Sequence, residues 1–518
     1  MISTAAFNLL RDFVRRSGVA AEIEELLRPT DSGRPRTLSV ETLLTAIIAT
    51  QGRGTALHLT KVHETLTKEL PVSLRRELGI TGPGGDLTVR QVRYLFSAIA
   101  AVMAAPHGAY GPVRDASDDR AQEWIDRLLE ATFPVGGERT GSFAVDGSAI
   151  DSPSRPGRDQ DARWGHRTKT HQNRFRKVYG YQLVALTEVP AIPGDDGGSL
   201  PMLTSRISLV PANGDQIAPT LDALVRLRSC GVPVKEVLSD RGFSFSVPEK
   251  WAYPLRALGI DQVLDVHPAD HGAKDYDGLL MIDGWPHCPA MPGHLRTIRK
   301  PNVLTVSPLP RDATAKDIAK QQRRIARIKA FKEAIADREK WAFSRFSTAP
   351  ADPKTGKKGS ERYQCPAQAG KVQCARCPLS QLLPDAPVVE NPPPAATAPR
   401  ACRQTTVSIP MTVTPKLRQK ERWGSPEWVA SYRRRSRIEA IFGILKTAGS
   451  GNLRRGHIQV RGRVKITLML TALILSANIT AVRRWASETN HVKDELAARP
   501  LPEVSFEEVP TIEAPPGG

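Results

Sequence analysis

The sequence predicts an α/β protein with a mixed sheet, preceded by helices and interrupted by a long insertion. Three observations support this class. Helical apolar periodicity dominates residues 1–110, strand and helix patterns alternate over residues 141–270, and a helix-rich stretch follows much later, at residues 427–486. A chain of 518 residues is expected to form two to four domains.

Composition and charge favour a polyanionic partner. The formal net charge is +19, and DNA or RNA is the simplest partner for such a chain, with an attraction that salt weakens. Ribosome-like proteins and binders of anionic membranes share this property. The N-terminus has no signal-peptide pattern, and the apolar run at 466–482 is too short and polar for a good membrane span. We therefore expect a cytoplasmic protein, no membrane partner, and a buried core helix at that run.

Residues 1–110 predict a helical domain, followed by a linker and a helix at residues 111–140. The predicted helices cover 37–50, 57–70 and 86–103. Ser39 is the expected cap of the first. Exposed Arg90 and Arg93 favour DNA contact through a helix-turn-helix arrangement. A structural or dimerising bundle is the alternative, because no base-reading signature is visible.

Two short strands of the next region lead into aspartates. The strand at 143–145 ends at Asp146, and a later strand ends at Asp240. Counted from the strand at 143–145, the order of predicted elements is strand, strand, strand, helix, strand, then a helix and a fifth strand. The fourth strand is the one that ends at Asp240. Asp151 is a rival to Asp146, and its spacing of five residues places it on the opposite face of a strand. An ordinary turn is the alternative interpretation of either aspartate.

A basic segment, residues 155–177, joins the first of these strands to the second. It interleaves cations with aromatic side chains, which suits phosphate contact and base stacking. A solvated loop is the alternative. The predicted DNA-contacting residues are Arg163, Arg167, Arg174 and Lys177.

The stretch 431–446 predicts one amphipathic helix. Its apolar face consists of Ile438, Ile441, Phe442 and Leu445. At about 100° per residue, a second and narrow polar stripe consists of Tyr432, Arg435, Glu439 and Lys446. A carboxylate between cations suits a metal-binding acid beside a phosphate backbone. A solvated charged face is the alternative.

The stripe has the spacing Y-x2-R-x3-E-x6-K, which resembles the signature of bacterial insertion-sequence transposases of the DDE type. This resemblance implies an RNase H-like core formed by residues 141–270 and 427–486. Asp-Arg-Gly at 240–242 also matches a form frequent in these enzymes. The catalytic acids implied by the resemblance are Asp146, Asp240 and Glu439. The implied DNA-holding residues are Tyr432, Arg435 and Lys446.

The resemblance also implies a chemistry. The three acids would hold Mg²⁺ or Mn²⁺, with two ions expected, for hydrolysis at transposon ends and joining of the freed 3′-OH to target DNA. The partner is double-stranded DNA, bound by a homodimer associated with the bacterial nucleoid. The alternatives are an RNase H-like nuclease or resolvase without strand transfer, and a non-catalytic DNA-binding protein derived from a transposase.

The interval of about 200 residues between Asp240 and Glu439 predicts an inserted domain at residues 271–426. It contains a long basic helix, 313–345, with Trp341 packed near its end. Four cysteines suggest a structural Zn²⁺ site, with reduced thiols as the alternative, and a zinc-dependent nucleic-acid regulator is a further rival function. These cysteines are Cys365, Cys374, Cys377 and Cys402. The acidic, proline-rich residues 487–518 predict a disordered tail.

Overall fold

A computed structural model describes most of the chain. The described residues are 1–28, 36–51, 58–81, 86–104, 120–167, 177–193, 200–306, 308–349, 359–375, 385–447, 453 and 457–489. They form two compact units. The first unit combines Met1–Val234 with the segment that begins at Arg435, and the second unit is Lys235–Arg434. The fold is mixed α/β, with antiparallel and parallel strand pairs. Residues 111–119 of the predicted linker and residues 490–518 of the predicted tail lie outside the described residues, whereas residues 487–489 of that tail belong to the helix Arg463–Thr489.

The helices and strands in chain order are α1 (Thr4–Ser17), α2 (Val19–Leu26), α3 (Val40–Gln51), α4 (Leu59–Glu64), α5 (Val72–Glu77), α6 (Val89–Ala104), α7 (Arg120–Glu130), β1 (Ser142–Asp151), β2 (Arg163–His166), β3 (Lys177–Glu188), β4 (Thr204–Pro211), α8 (Ile217–Ser229), β5 (Glu236–Ser239), α9 (Arg241–Ser244), α10 (Ala252–Ala257), β6 (Asp261–Leu264), β7 (Ala273–Tyr276), β8 (Leu279–Ile282), β9 (Trp285–His287), α11 (Ala315–Trp341), β10 (Ser344–Ala349), β11 (Ser360–Gln364), β12 (Thr406–Pro410), α12 (Pro426–Arg433), α13 (Ser436–Lys446) and α14 (Arg463–Thr489).

The N-terminal part of the first unit is helical, as the sequence indicates. Ser39 caps α3, because its hydroxyl accepts a hydrogen bond from the Thr42 N–H at 3.1 Å. The helix expected at 57–70 is α4 followed by a π-helical turn, Thr65–Glu69. Arg90 and Arg93 are exposed on α6.

α14 is a core helix of the first unit. It is long and apolar enough to cross a membrane by length and composition, but 67% of its apolar window is buried inside the protein. It packs on α3, α7 and β4. Its Asn478 side chain donates to Thr132 Oγ1 and Thr204 O, each at 3.0 Å, and accepts from the Thr204 N–H. A buried amide with three partners fixes the helix within a folded core, which confirms the expected core helix.

β3 is the central strand of the first unit. β1 pairs antiparallel with one edge, and β4 and β2 pair with the other. The expectation that the first strand stops at Asp146 is wrong, because Gly147 pairs with Val184 and β1 continues to Asp151. The basic segment is also not entirely a loop, since Arg163–His166 forms β2.

The second unit has a parallel pair, β5–β6, and two antiparallel three-stranded sheets, β7–β8–β9 and β10–β11–β12. Trp341, at the end of α11, is buried in a cluster with Trp285 and Tyr363, as expected for a packed tryptophan. The segment 411–428 lies beside β6 in space, although about 150 residues separate them in sequence. Gln262 Nε2 donates to Arg418 O at 2.6 Å, and Leu264 N–H donates to Gln419 Oε1 at 3.0 Å. Through these bonds β5 and β6 belong to the second unit, which begins at Lys235. The inserted domain that the sequence predicts begins later, at residue 271.

The single helix expected at 431–446 is two helices, α12 and α13. Between them the backbone makes tighter i→i−3 hydrogen bonds, from Arg434 N–H to Ser431 O at 3.2 Å and from Ile438 N–H to Arg435 O at 3.1 Å. The buried Arg434 side chain donates to the Ser431 carbonyl and to Glu236 Oε1. These bonds fix a turn where the sequence pattern indicates continuous helix.

A buried ion-pair network joins α7, β4 and α8 in the first unit. Arg206 on β4 is 1% exposed. Its guanidinium contacts Glu130 Oε2 at 2.9 Å and Asp126 Oδ2 at 3.3 Å. Arg226 Nε also reaches Asp126 Oδ2, at 2.7 Å. Removing Arg206 would take away a buried counter-charge that Asp126 and Glu130 share, in a low-dielectric core.

We expect Arg206→Met to lower the free energy of unfolding by about 3 kcal/mol, the usual cost of breaking a buried pair from one side. Urea denaturation followed by circular dichroism measures this. Arg15→Met is the matched control, since it breaks an Arg–Glu pair in which the arginine is 52% exposed and should cost less than about 1 kcal/mol. Equal losses in the two variants would show that the network does not stabilise the unit.

Candidate active site

Asp146 lies in the middle of β1, where its carboxylate is 21% exposed. Oδ1 accepts a hydrogen bond from the Gly147 N–H at 2.7 Å. Gly147 permits a close approach, because a Cβ there would lie 2.4 Å from side-chain atoms of Gln182 and Gln216. The acid is therefore held on a tightly packed strand, with one oxygen engaged by the backbone and the other by Arg435.

Arg435 joins Asp146 to Glu439. Its Nη1 lies 3.1 Å from Asp146 Oδ2, and its Nη2 donates to Glu439 Oε1. α13 packs on β1, so an arginine 289 residues from Asp146 in sequence reaches it across the first unit. Glu439 is 56% exposed, whereas Arg435 is 14% exposed. Two acids, one held and one open to solvent, thus share a single guanidinium.

Lys446 is the last residue of α13 and adds a second cation. Burial lowers the pKa of its ammonium, the Asp146 carboxylate opposes that change, and Arg167 reinforces it. These influences place the Lys446 charge within electrostatic reach of Asp146. A half-buried lysine and a half-buried arginine therefore lie near the same acid, Asp146.

Asp151 occupies a different environment on the same strand. Arg167 binds both of its carboxylate oxygens, with Nη1 2.9 Å from Oδ2. The bidentate pair satisfies Asp151, which separates it from Asp146 as a candidate acid. Of the other basic residues expected to contact DNA, Arg163 donates to Ala162 O, Lys177 is exposed, and Arg174 lies outside the described residues.

Asp240 belongs to the second unit, directly after the buried β5. It caps α9, since Oδ1 accepts from the Gly242 N–H at 2.8 Å. The neighbouring Arg241 is held by Asp265, with Nε 2.9 Å and Nη2 2.7 Å from Oδ2. Asp265 Oδ1 also accepts from Trp423 Nε1 at 2.9 Å. Asp265 is a supporting residue that sequence reasoning missed, although it too follows a buried strand, β6.

Tyr432 lies on α12 and packs through its ring. The ring is stacked on Trp428, with centroids 4.9 Å apart and planes 8° from parallel. Trp428 Nε1 donates in turn to Leu264 O at 3.0 Å. The second unit therefore fixes the ring, and DNA contact by Tyr432 stays a prediction.

The cysteines surround one core of the second unit. Cys365 is buried, Cys374 and Cys402 are half-buried, and Cys377 lies outside the described residues. Burial raises the pKa of the Cys288 thiol, and Cys365, Cys402 and Cys374 are near enough to raise it further. Within the described ranges no group of three or more His, Cys, Asp or Glu side chains is arranged to hold a metal. The zinc site stays a prediction, with Cys288 as a further thiol.

We expect Arg435→Gln to bind Mn²⁺ about tenfold more tightly than the unchanged protein, because it removes a positive charge beside Asp146 and Glu439; such a change is about 1.4 kcal/mol. Titration of the free Mn²⁺ signal by electron paramagnetic resonance measures the affinity. Arg15→Gln removes the same charge from a pair with Glu41 in the N-terminal helices and is the matched control, with no change expected. Equal effects of the two variants would show that Asp146 and Glu439 do not bind the metal.

Comparison with models of known protein families gave no match, and comparison with characterised proteins gave none.

Proposed function

We propose that this protein is a DNA transposase of the DDE type, which cleaves at the ends of a mobile element and joins the freed 3′-OH to target DNA. The observation that carries the proposal is the convergence of Asp146 and Glu439 on Arg435, with Lys446 beside them. Three of these residues occupy the positions of the Y-x2-R-x3-E-x6-K spacing. Their grouping beside a strand acid supports the role that the resemblance implies.

An RNase H-like core is part of this proposal. β1, β3 and β4 form antiparallel neighbours, α8 follows them, and β5 and β6 pair in parallel. This order of elements supports the assignment. Asp146 and Asp240 each lie on or directly after a strand of this series, and Glu439 lies on a late helix, α13.

We propose that Asp146, Asp240 and Glu439 hold divalent cations, with Mg²⁺ as the natural choice. Carboxylate oxygens are the ligands that Mg²⁺ prefers. A guanidinium already lies between two of these acids, so the place accommodates a positive charge. When bound, such ions lower the pKa of an attacking water and stabilise the leaving oxygen. Asp240 completes the set in this proposal.

Arg435 and Lys446 would hold the DNA backbone. The guanidinium fork of Arg435 fits two phosphate oxygens as well as it fits two carboxylates. Burial strengthens the field of Lys446 on a nearby phosphate, because water screens it less. A scissile phosphate would therefore be held against Asp146, while the more exposed Glu439 can turn toward the reacting group.

The reaction needs no covalent enzyme intermediate. In the first step a water oxygen forms a bond to phosphorus and the bond to the 3′ oxygen breaks, which leaves a 5′-phosphate and a free 3′-OH. In the second step this hydroxyl attacks a target phosphodiester, a new 3′–5′ link forms, and the target's own 3′ oxygen leaves. We propose a homodimer for this work, because two ends must be processed in one assembly.

The proposal is tested with oligonucleotide duplexes that carry the terminal sequences flanking the gene, together with Mg²⁺ and a target plasmid. Asp146→Asn, Asp240→Asn and Glu439→Gln should each reduce cleavage by at least about a thousandfold, because each removes charge worth several kcal/mol in the transition state. Gel analysis of end-labelled strands measures both cleavage and joining.

Asp151→Asn is the matched control, since it changes an acid of the same strand that Arg167 already neutralises. It should cleave within about threefold of the unchanged protein. Full activity in all three acid variants would refute the site. Cleavage without joining would identify an RNase H-like nuclease, and binding without cleavage a non-catalytic DNA-binding protein.

A further inference from the structure

α11 changes character halfway along its 27 residues. In its second half Ile328, Phe331, Ile335 and Trp341 are buried, and Arg338 is held by Asp283 at 2.7 Å. Residues 315–327 are all described, and none of them is buried. The first half of the helix therefore extends away from the core of the second unit. A capping box at Thr314 and Asp317 stabilises its free end.

The exposed half carries a line of cations. At about 100° per residue, these side chains lie within roughly 60° of one another around the helix. We call them the α11 stripe, which consists of Lys316, Lys320, Arg323 and Arg327. Between residues 315 and 332 the helix has seven Lys or Arg and one acid, Asp317.

The stripe continues one edge of the buried face of the same helix. Phe331, Arg338 and Trp341 project within about 60° of the direction of Lys316, by the same helical geometry. Ile328 and Ile335, also buried, lie at about 120° and 100° from it. An ordinary solvated face lies opposite the buried one and mixes both signs of charge. On this side of α11, the second half of the helix is mostly apolar and is covered by the core. The first half is cationic and is not covered by any described part of the chain. Such a face is suited to a second partner, and that partner is anionic.

Lys320 lies within electrostatic reach of Asp317, whereas the other three cations of the stripe have no ion-pair partner among the described residues. No ion pair with a carboxylate of the described residues is formed by Lys316, Arg323 or Arg327, and the pair that α11 makes nearby, Lys329 with Glu333 at 3.9 Å, is on another face. Cations held apart from the protein's own acids keep their full attraction for an external polyanion.

We propose that the α11 stripe binds the phosphate backbone of duplex DNA. The stripe runs for about 16 Å at 1.5 Å per residue, a length that spans about five phosphates of one strand at 3.4 Å each. The identity of the DNA that the stripe binds in the cell rests on the proposed function. The binding of duplex DNA itself does not. A lipid surface fits less well, because the face opposite the stripe carries Lys329 and Lys332 beside the exposed Ile318 and Ile325. The helix therefore has no continuous apolar face to enter a membrane.

The test compares two charge-matched pairs of substitutions on one helix. Arg323→Gln/Arg327→Gln removes two cations from the stripe, and Lys329→Gln/Lys332→Gln removes two from the opposite face. Gln has a helix propensity close to that of Arg and Lys. Binding to a mixed-sequence 40-base-pair duplex is followed by fluorescence anisotropy without divalent cations, from low to moderate NaCl.

The stripe pair should weaken binding about tenfold and reduce the slope of log K against log salt by about two, one for each lost phosphate contact. The control pair should change affinity by less than about threefold and leave the slope unchanged. Equal effects of the two pairs would mean that only net charge matters and would overturn the proposal. Unchanged binding by the stripe pair would also overturn it.

Two further measurements separate this inference from the catalytic proposal. In the first, the stripe pair and the unchanged protein are both assayed for cleavage of the end duplexes in Mg²⁺. If the stripe pair weakens DNA binding but the unchanged protein never cleaves, the stripe proposal stands and the transposase proposal is refuted. If the unchanged protein cleaves normally and the stripe pair binds DNA normally, the transposase proposal stands and the stripe proposal is refuted. In the second, sedimentation velocity tests whether the stripe instead binds a second copy of this chain. If the stripe pair abolishes self-association and leaves DNA binding intact, the stripe is a surface for a second copy and the proposal is overturned.

Discussion

The guanidinium of Arg435, held between Asp146 and Glu439, is the interaction on which the candidate site depends. Two carboxylates that approach each other repel, and partial burial increases that repulsion. A planar cation with paired donors removes the conflict and also fixes where the two acids stand. The arrangement is asymmetric, because Asp146 is anchored on a strand whereas Glu439 is mostly solvent-exposed. It combines a rigid acid with an adjustable one.

The rest of the first unit holds that interaction in place. α13 buries Ile438, Ile441, Phe442 and Leu445, so its polar side faces β1 with a defined rotation. Gly147 lets Gln182 and Gln216 approach the strand next to Asp146. The apolar α14 contacts α13 and β4, which ties the late helix to the early strands. The site thus depends on contacts between segments that are almost three hundred residues apart.

The sequence predicts the local elements well and the long-range ones poorly. Periodicity locates α3, α6 and α14, since each is set by a repeating apolar pattern. It does not reveal the break between α12 and α13, because the break depends on Arg434 meeting Glu236 from a distant strand. It also ends β1 too early, because only pairing with β3 carries that strand through Gly147 to Asp151. The grouping of Arg435 with Glu439 follows from helical spacing, but their contact with Asp146 needs the fold.

The positive charge of the chain is divided between two uses. Arg206, Arg338 and Arg434 are buried and paired with acids, so they contribute to folding and add little to the external field. Arg323 and Arg327 belong to the other group, exposed and separated from carboxylates. A net charge of +19 alone would not distinguish these groups. Their separation in space means that the attraction for a polyanion is concentrated on particular surfaces, and the exposed half of α11 is one where the helix geometry itself aligns the charges.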